Sequence, residues 1–458
     1  MNIKKILLSA LAGASMLATL AGPGMAADVN VYGASAQYLF WNATAPGFLA
    51  AAPLNCTDVQ QATFNSANAI TKATCGGVPT YVRVSSKASF DGPSALMGDD
   101  HYATAGTTSE KCSAGDPGYP GATLAGYYRK MVDENSCTFT TPPAAPGACT
   151  ALKCVRVTLG VSDVAAESFV QSSTGQLKGP LGGGSVTRSF SGVPVSGLAY
   201  YNPIVVPFAF FANNTVTRDI NYPVGGGAHT ANFQPITNLP RMMAVMIFSG
   251  QAWNWTDFGA DFNSNPIVAC LRHAGSGTHS TLDYAVMNNG IWGGNLVSAE
   301  NVPTVTVPGA TVYFNDGSND EMKCINGATS GTITWSGAGA IGYADADQAV
   351  GAGSSYTNTS RLTYNGEEPS RVNIRNGRYD FWTSEWAYEN PLAPEYSATH
   401  PTVSAMMTYA ANPANIPGVS NFGADKTGYW ASSGEMVYMK GTDKTYPAFQ
   451  GAANPQLP

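Results

Sequence analysis

Along the chain, short apolar runs end in small polar turns at regular points. Val29–Tyr32 is a strand-like run that closes in Gly33-Ala34-Ser35-Ala36-Gln37, a small-residue turn opening into a helix start. Val78–Ser85 (VPTYVRVS) alternates as a strand does and ends in a second small polar turn, Ser85–Gly92. Val155–Val161 (VRVTLGV) reads as a third strand, with Ser162-Asp163 at its C-terminal end. Strand, small polar turn and helix, repeated, predict parallel sheets in an α/β fold, where ligands collect beyond the carboxyl ends of the strands. Tyr200–Phe211 (YYNPIVVPFAFF) is a continuous apolar run of the kind buried at a sheet centre. Asn238–Phe248 (NLPRMMAVMIF) has helical spacing of its apolar residues, and a last helix is expected within Thr402–Ala411.

Residues 100–153 break this rhythm. They hold Pro120, Pro142, Pro143 and Pro146, many glycines and three cysteines, and read as a stapled surface insertion with one short helix near Leu124–Val132. Gly182–Ser185 and Gly225–Gly227 are flexible loops, and no internal repeat is visible. A length of 458 residues suits two domains or one two-lobed domain with ample core.

Residues 1–26 read as a secretory signal: Lys4 and Lys5 lead, Ile6–Leu20 is apolar, and Gly24-Met25-Ala26-Ala27 offers a cleavage point. No Leu-x-x-Cys follows, so no lipid anchor is expected there, and no later run reaches the ~18 apolar residues of a membrane span. A soluble, exported (periplasmic or secreted) protein is expected. The formal charge of −7 includes the two signal lysines, so the mature chain carries −7 − 2 = −9. That acidity leaves no electrostatic footprint for nucleic acid. Eight cysteines, an even number in an exported chain, favour disulfides. We expect Cys56–Cys75 and Cys270–Cys324, with Cys112, Cys137, Cys149 and Cys154 pairing among themselves, although sequence does not fix the connectivity. No C-x-x-C occurs and the five histidines are scattered, so neither a metal site nor a cofactor is expected.

The most informative chemistry is ACLRHAGSGTH, Ala269–His279. Arg272 stands four residues ahead of a Ser-Gly-Thr run that opens a helix. A helix start leaves backbone N–H groups without partners and carries partial positive charge, so it attracts anions. Arg272 adds a planar fork of donors that matches two oxygens of a phosphate-like group. Ser276 and Thr278 supply hydroxyls, and Gly275 and Gly277 permit close backbone approach.

Seven pieces, in order, resemble the periplasmic phosphate-binding proteins of ABC transporters, a branch of the two-lobed solute-binding superfamily. VYGASAQY (Val31–Tyr38) is similar to the first phosphate loop, VTLGVSDVA (Val157–Ala165) to a strand ending in Ser-Asp, and NPIVVPFAFFANNTV (Asn202–Val216) to the segment that crosses between lobes. IFSGQAWNWTDF (Ile247–Phe258) and RHAGSGT (Arg272–Thr278) resemble the approach to the main anion loop and that loop itself. GAIGYADADQA (Gly339–Ala349) and IRNGRYDFW (Ile374–Trp382) resemble two later landmarks. The resemblance implies an α/β fold of two lobes, each a mostly parallel sheet flanked by helices, with the ligand cleft between them. It divides the chain into a first lobe over 27–207, a second over 208–375, and a return to the first over 376–458, with crossings near 205 and 376.

On the same resemblance, Arg272, Ser276, Gly277 and Thr278 bind the anion from one lobe. Asp163 faces it from the other, with donors from Ala36, Gln37, Tyr38 and Ser89. An acid suits an anion site when the anion still carries a proton: monohydrogen phosphate can donate to a carboxylate, and sulfate at neutral pH cannot. Without the resemblance, Asp163 reads as a helix cap after a strand. The function implied is capture of inorganic phosphate for delivery to a membrane ABC permease, by a monomer and without catalysis. The alternatives are another oxyanion or an organophosphate on the same fold, or a secreted interaction protein that has lost transport.

The departures bear on the ligand. Gln37-Tyr38 replaces the family's usual Thr-Phe, and Ser89-Phe90-Asp91-Gly92-Pro93 replaces a run of serines and glycines. Asp91 would repel an anion if turned inward, and otherwise starts the turn toward Gly92. His273, beside the arginine, is expected to be an exposed loop histidine. Gly337–Gly342 formally satisfies G-x-G-x-x-G but is accounted for by the landmark it lies in, and no hydrolase elbow, H-E-x-x-H or Walker loop occurs.

Overall fold

A computed structural model describes residues 27–99, 112–169, 172–288, 311–418 and 428–449. The expected signal, 1–26, and residues 100–111 of the insertion lie outside the described residues. Two large sheets make two lobes. The first runs in the order Ala199–Tyr201, Trp386–Glu389, Leu159–Ser162, Val29–Gly33, Val78–Ser86, Asn68–Cys75, Thr57–Asn65, Gly147–Ala148. The second runs Asn238–Leu239, Thr359–Tyr364, Ile204–Asn213, Ala340–Asp345, Val268–Arg272, Thr311–Asn315. Each is mixed. The parallel character expected of them holds where Val29–Gly33 lies between Val78–Ser86 and Leu159–Ser162, and where Val268–Arg272 lies between Ala340–Asp345 and Thr311–Asn315. Many of the flanking pairs run antiparallel.

One strand of the second sheet changes partners along its length. Ile204–Asn213 is buried along its whole length, as its β-branched and aromatic composition demands. Its first residues, Ile204 to Pro207, pair with Trp382–Ser384 and Ala431–Ser432, and its later ones, from Phe208, pair with Ala340–Asp345 and Thr359–Tyr364. Pro207, which has no N–H to give a ladder, stands where the partners change. The chain returns through Trp382–Ser384 and Trp386–Glu389, the latter pairing with Leu159–Ser162 of the first sheet.

Local departures have local causes. The single strand expected over Val155–Val161 is two, Leu152–Arg156 and Leu159–Ser162. Between them the Thr158 hydroxyl accepts from the Asn30 N–H at 2.7 Å, so a side chain replaces a ladder bond. The helix expected near Leu124–Val132 is a turn followed by the strand Tyr128–Val132, which pairs with Leu152–Arg156. Arg129 and Met131 are buried and Lys130 is not, a period of two. The last helix starts earlier than expected, at Tyr396, and carries Pro401 inside it. The helix in NLPRMMAVMIF begins at Arg241, after a short strand and Pro240.

All eight cysteines are bridged: Cys56–Cys75, Cys112–Cys154, Cys137–Cys149 and Cys270–Cys324. Two of these fasten the insertion. Cys270–Cys324 ties the strand Val268–Arg272 to the helix Ser318–Asn326, directly beneath the candidate anion loop. Both sulfurs are in the core. Closing a loop of 54 residues is worth roughly 4 kcal/mol in the chain-entropy picture. The double variant Cys270→Ala/Cys324→Ala should therefore melt well below the wild type in a calorimetric scan. An unchanged melting temperature would refute a structural role for this bridge.

Candidate oxyanion site between the lobes

The carboxyl ends of the parallel strands meet at one place. From the first lobe come the segments after Gly33, Ser86 and Ser162; from the second come those after Arg272 and Asn315. Close packing puts them there. A Cβ on Gly92 would lie 2.5 Å from the Val161 carbonyl oxygen, so only glycine lets the helix Asp91–Leu96 sit on the strands and hold Ser89 at their ends. The Phe90 N–H donates to the Gly275 carbonyl across the lobes at 3.1 Å. Lys87 pairs with Asp316 at 3.1 Å, and the hydroxyls of Ser35 and Ser318 lie 3.2 Å apart. A Cβ on Gly277 would lie 2.5 Å from Ser89 Oγ and 2.6 Å from Asp163 Cβ. The lobes are closed against each other at this point.

On the second lobe, Arg272 ends its strand and is fully buried. Its Nη1 donates to Ser318 Oγ at 2.7 Å and its Nη2 to the Asp316 carbonyl at 3.0 Å, while Nε has no partner. Ser276 precedes the helix Gly277–Thr281 with no side-chain cap. Among the described residues, the Gly277 and Thr278 N–H groups and the Ser276 and Thr278 hydroxyls donate no hydrogen bond. The locus is thus a buried cation beside unspent donors.

On the first lobe, Asp163 is buried, and both its oxygens accept: Oδ1 from Gln37 Nε2 at 3.0 Å and Oδ2 from Ser89 Oγ at 2.8 Å. It caps no helix. The Ser162 hydroxyl donates to the Val164 carbonyl at 2.6 Å and turns the chain around it. Burial pushes the Asp163 carboxyl up to about 6, against the Gln37 and Ser89 hydrogen bonds and the Arg272 charge, which lower it.

Of the other residues singled out in the sequence, Ala36 is buried in the turn after the first strand, and Tyr38 starts the helix Tyr38–Ala50. The Tyr38 hydroxyl donates to the Asn65 carbonyl at 3.4 Å rather than reaching Asp163. Asp91 is turned away and paired with Arg129 at 2.9 Å. His273 is not an exposed loop residue: it is buried, stacks on Phe190 and accepts from the Gly275 N–H at 3.1 Å. Burial holds it neutral, its pKa lowered to about 4, and lowers that of His279 to about 3.

Several residues escape the sequence reading. Tyr343 accepts from the Arg272 N–H at 3.2 Å and hydrogen-bonds His279 Nδ1 at 2.7 Å. Glu321, also buried, accepts from the Tyr343 N–H at 3.2 Å, and its Oε2 has no partner. Burial pushes its pKa up to about 8, against the nearby Arg272. Lys87 and Ser318 were not singled out in the sequence either. Beside Ser35 and Ser318 opens a polar cavity of about 370 Å³, lined also by Tyr38, Lys87, Asp320 and Asp345. Among the described residues no group of His, Cys, Asp and Glu is placed to hold a metal ion, and no helix is long and apolar enough to cross a membrane.

The model of the PBP superfamily domain matches residues 203–414. No curated protein matches the sequence. Among solved structures, a Clostridium perfringens protein described as a phosphate ABC transporter substrate-binding protein, with bound phosphate, is 13% identical over 86% of this chain and 97% of its own, with a TM-score of 0.43. The high-affinity periplasmic phosphate-binding protein PfluDING, bound with phosphate, is 12% identical over 86% and 89%, TM-score 0.43. A phosphate-binding protein from Stenotrophomonas maltophilia is 12% identical over 87% and 90%, TM-score 0.37. The segment that this family model matches carries the strand Ile204–Asn213 and the whole Arg272 loop.

Proposed function

We propose that this protein is an exported solute-binding protein that captures a tetrahedral oxyanion, inorganic phosphate foremost, between its lobes and presents the closed form to a membrane permease. One observation carries the reading. The buried Arg272 and the unspent donors of Ser276–Thr278 face a single buried carboxylate, Asp163, across the interface of the two lobes. Admitting an anion requires these faces to part and to close around it, and a ligand that touches both favours the closed state. Asp163 gives the selectivity: charged above about pH 6, it accepts the proton that phosphate carries and sulfate lacks. A second reading, a phosphate monoester, is favoured by the cavity of about 370 Å³ next to Ser35 and Ser318, which exceeds the needs of a bare oxyanion.

Glu321 belongs to this reading. Ionised, it would neutralise Arg272 from behind; kept protonated by burial, it leaves the arginine's charge for the ligand.

Calorimetric titration of the refolded, dialysed mature protein should give tight 1:1 phosphate binding and none with sulfate at pH 7.5. Arg272→Ala should cost roughly 2–5 kcal/mol of binding, because its charged partner is left unpaired. Folded, ligand-free protein that gives no heat with phosphate, arsenate or sulfate would sink the reading. Gly277→Ala should weaken phosphate about tenfold or more, since its Cβ meets Ser89 and Asp163 before the lobes can close. Unaltered affinity in that variant would mean that the helix start does not close on Asp163. For Glu321 the native state holds a proton that the unfolded chain loses above about pH 4.5, so its stabilising contribution falls as pH rises toward 8. Glu321→Gln should accordingly match the wild type's melting temperature near pH 4 and exceed it increasingly toward pH 8, by up to ~1.4 kcal/mol per pH unit.

A further inference from the structure

We infer that Glu385, acting through Trp41, locks the Gln37 amide as a donor to Asp163, and that this buried line sets the site's choice between protonated and unprotonated oxyanions. The inference rests on the oxyanion reading and adds a positioning residue to it. Four side chains are involved, all at least 99% buried: Asp163, Gln37, Trp41 and Glu385. Gln37 Nε2 donates to Asp163 Oδ1 at 3.0 Å, and Gln37 Oε1 accepts from Trp41 Nε1 at 3.3 Å. The same indole N–H donates to Glu385 Oε1 at 2.8 Å.

The two ends of an amide have nearly the same shape, so its neighbours decide which way it points. An indole N–H can only donate. It therefore holds the Gln37 carbonyl end, and the NH₂ end is turned to Asp163. Flipping the amide would set NH₂ against N–H at one end and carbonyl against carboxylate at the other. Only a protonated Asp163 could donate to a flipped amide, and Trp41 opposes that state too. The line therefore disfavours the protonated carboxyl, which could donate to sulfate, and favours the carboxylate, which needs a proton from its ligand.

Glu385 holds the indole without adding a second charge. Burial raises its pKa well above the ordinary carboxylate range, and its Oε2 has no partner among the described residues. Its place in the chain matters as well. It lies between Trp382–Ser384, which pairs with Ile204–Asn213 of the second sheet, and Trp386–Glu389 of the first, whose first residue pairs with Ser162 beside Asp163. Its N–H donates to the Ile204 carbonyl at 3.0 Å. One residue thus touches the start of the strand Ile204–Asn213 and, through two side chains, the Asp163 carboxylate.

The other charged or titratable groups around Asp163 are accounted for. Arg272 faces it from the second lobe, with His273 and His279 held neutral behind. Lys87 is paired with Asp316, and Asp91 with Arg129.

The test is calorimetric binding of phosphate and of sulfate from pH 5 to 8.5 by the wild type, Trp41→Phe, Glu385→Leu and Glu385→Gln. In the wild type, sulfate should bind only as pH falls through about 6, where Asp163 gains its proton. Loss of the lock weakens the Gln37 hydrogen bond that lowers the Asp163 pKa, so in Trp41→Phe and Glu385→Leu the onset of sulfate binding should move up by about one pH unit. At pH 7.5 the phosphate-over-sulfate ratio should fall about tenfold in both, and Glu385→Gln, which keeps an acceptor oxygen, should recover the ratio lost in Glu385→Leu. Should Glu385→Leu not fold, Trp41→Phe carries the test, because it removes the N–H and keeps most of the volume. An equal weakening of both anions at every pH, with the sulfate onset unmoved, would overturn the inference and leave the oxyanion reading standing. A wild type that binds neither anion would overturn both.

Discussion

The fold hangs on the strand Ile204–Asn213, which lies inside the second sheet and one short connection away from the first. It is buried from end to end, so every one of its side chains must find an apolar neighbour, and every backbone group must be paired by a strand on one side or the other. Its opening residues take Trp382–Ser384 and Ala431–Ser432 as partners, and the remainder takes Ala340–Asp345 and Thr359–Tyr364. The two sheets are joined by the short connections from Tyr201 to Ile204 and from Ser384 to Trp386. The second of these leads into Trp386–Glu389, which lies alongside Leu159–Ser162, the strand that ends just before Asp163. At Gly277 the contact is so short that the residue there can have no side chain.

Much of this could be read in the sequence. The small-residue turns after Val29–Gly33 and Val78–Ser86, and the Ser-Asp after the third strand, follow from the strand-turn-helix rhythm, and the structure gathers all three at one place. Two of the disulfides, Cys56–Cys75 and Cys270–Cys324, were also expected, while the pairing among Cys112, Cys137, Cys149 and Cys154 was left open until the structure gave it. What escaped was contact between distant segments. Nothing near Gln37 in the sequence shows that its amide would meet Trp41 and, 344 residues on from that tryptophan, Glu385. The same is true of Glu321 behind Arg272, since a Glu in the first turn of a helix is ordinarily an exposed complement to the helix dipole. His273 was misplaced for a related reason: its loop packs under Phe190, a neighbour 83 positions earlier that only the closed lobes supply. Leu124–Val132 failed differently, because pairing with a strand across a disulfide overrode a weak local preference.

The pattern of charge in the site has a single physical logic. A dry interior penalises each ionised group heavily, so groups placed there either pair or give up their charge. Around this locus the surplus is given up: Glu321 and Glu385 are driven toward their protonated forms, and His273 and His279 toward their neutral ones. Beyond the pairs Lys87–Asp316 and Arg129–Asp91, two charges remain, Arg272 on one lobe and Asp163 on the other, with the partial positive end of a short helix beside them. In the proposed reading, the arginine and the helix start would favour an anion, while the carboxylate would repel every anion that cannot offer it a proton. Affinity and selectivity would then come from opposite lobes and act together only when the lobes meet. Such a site would be weak while open, because neither half alone both attracts the anion and tests its protonation. The neutrality of the groups behind it is what keeps those two charges from being cancelled by the protein itself.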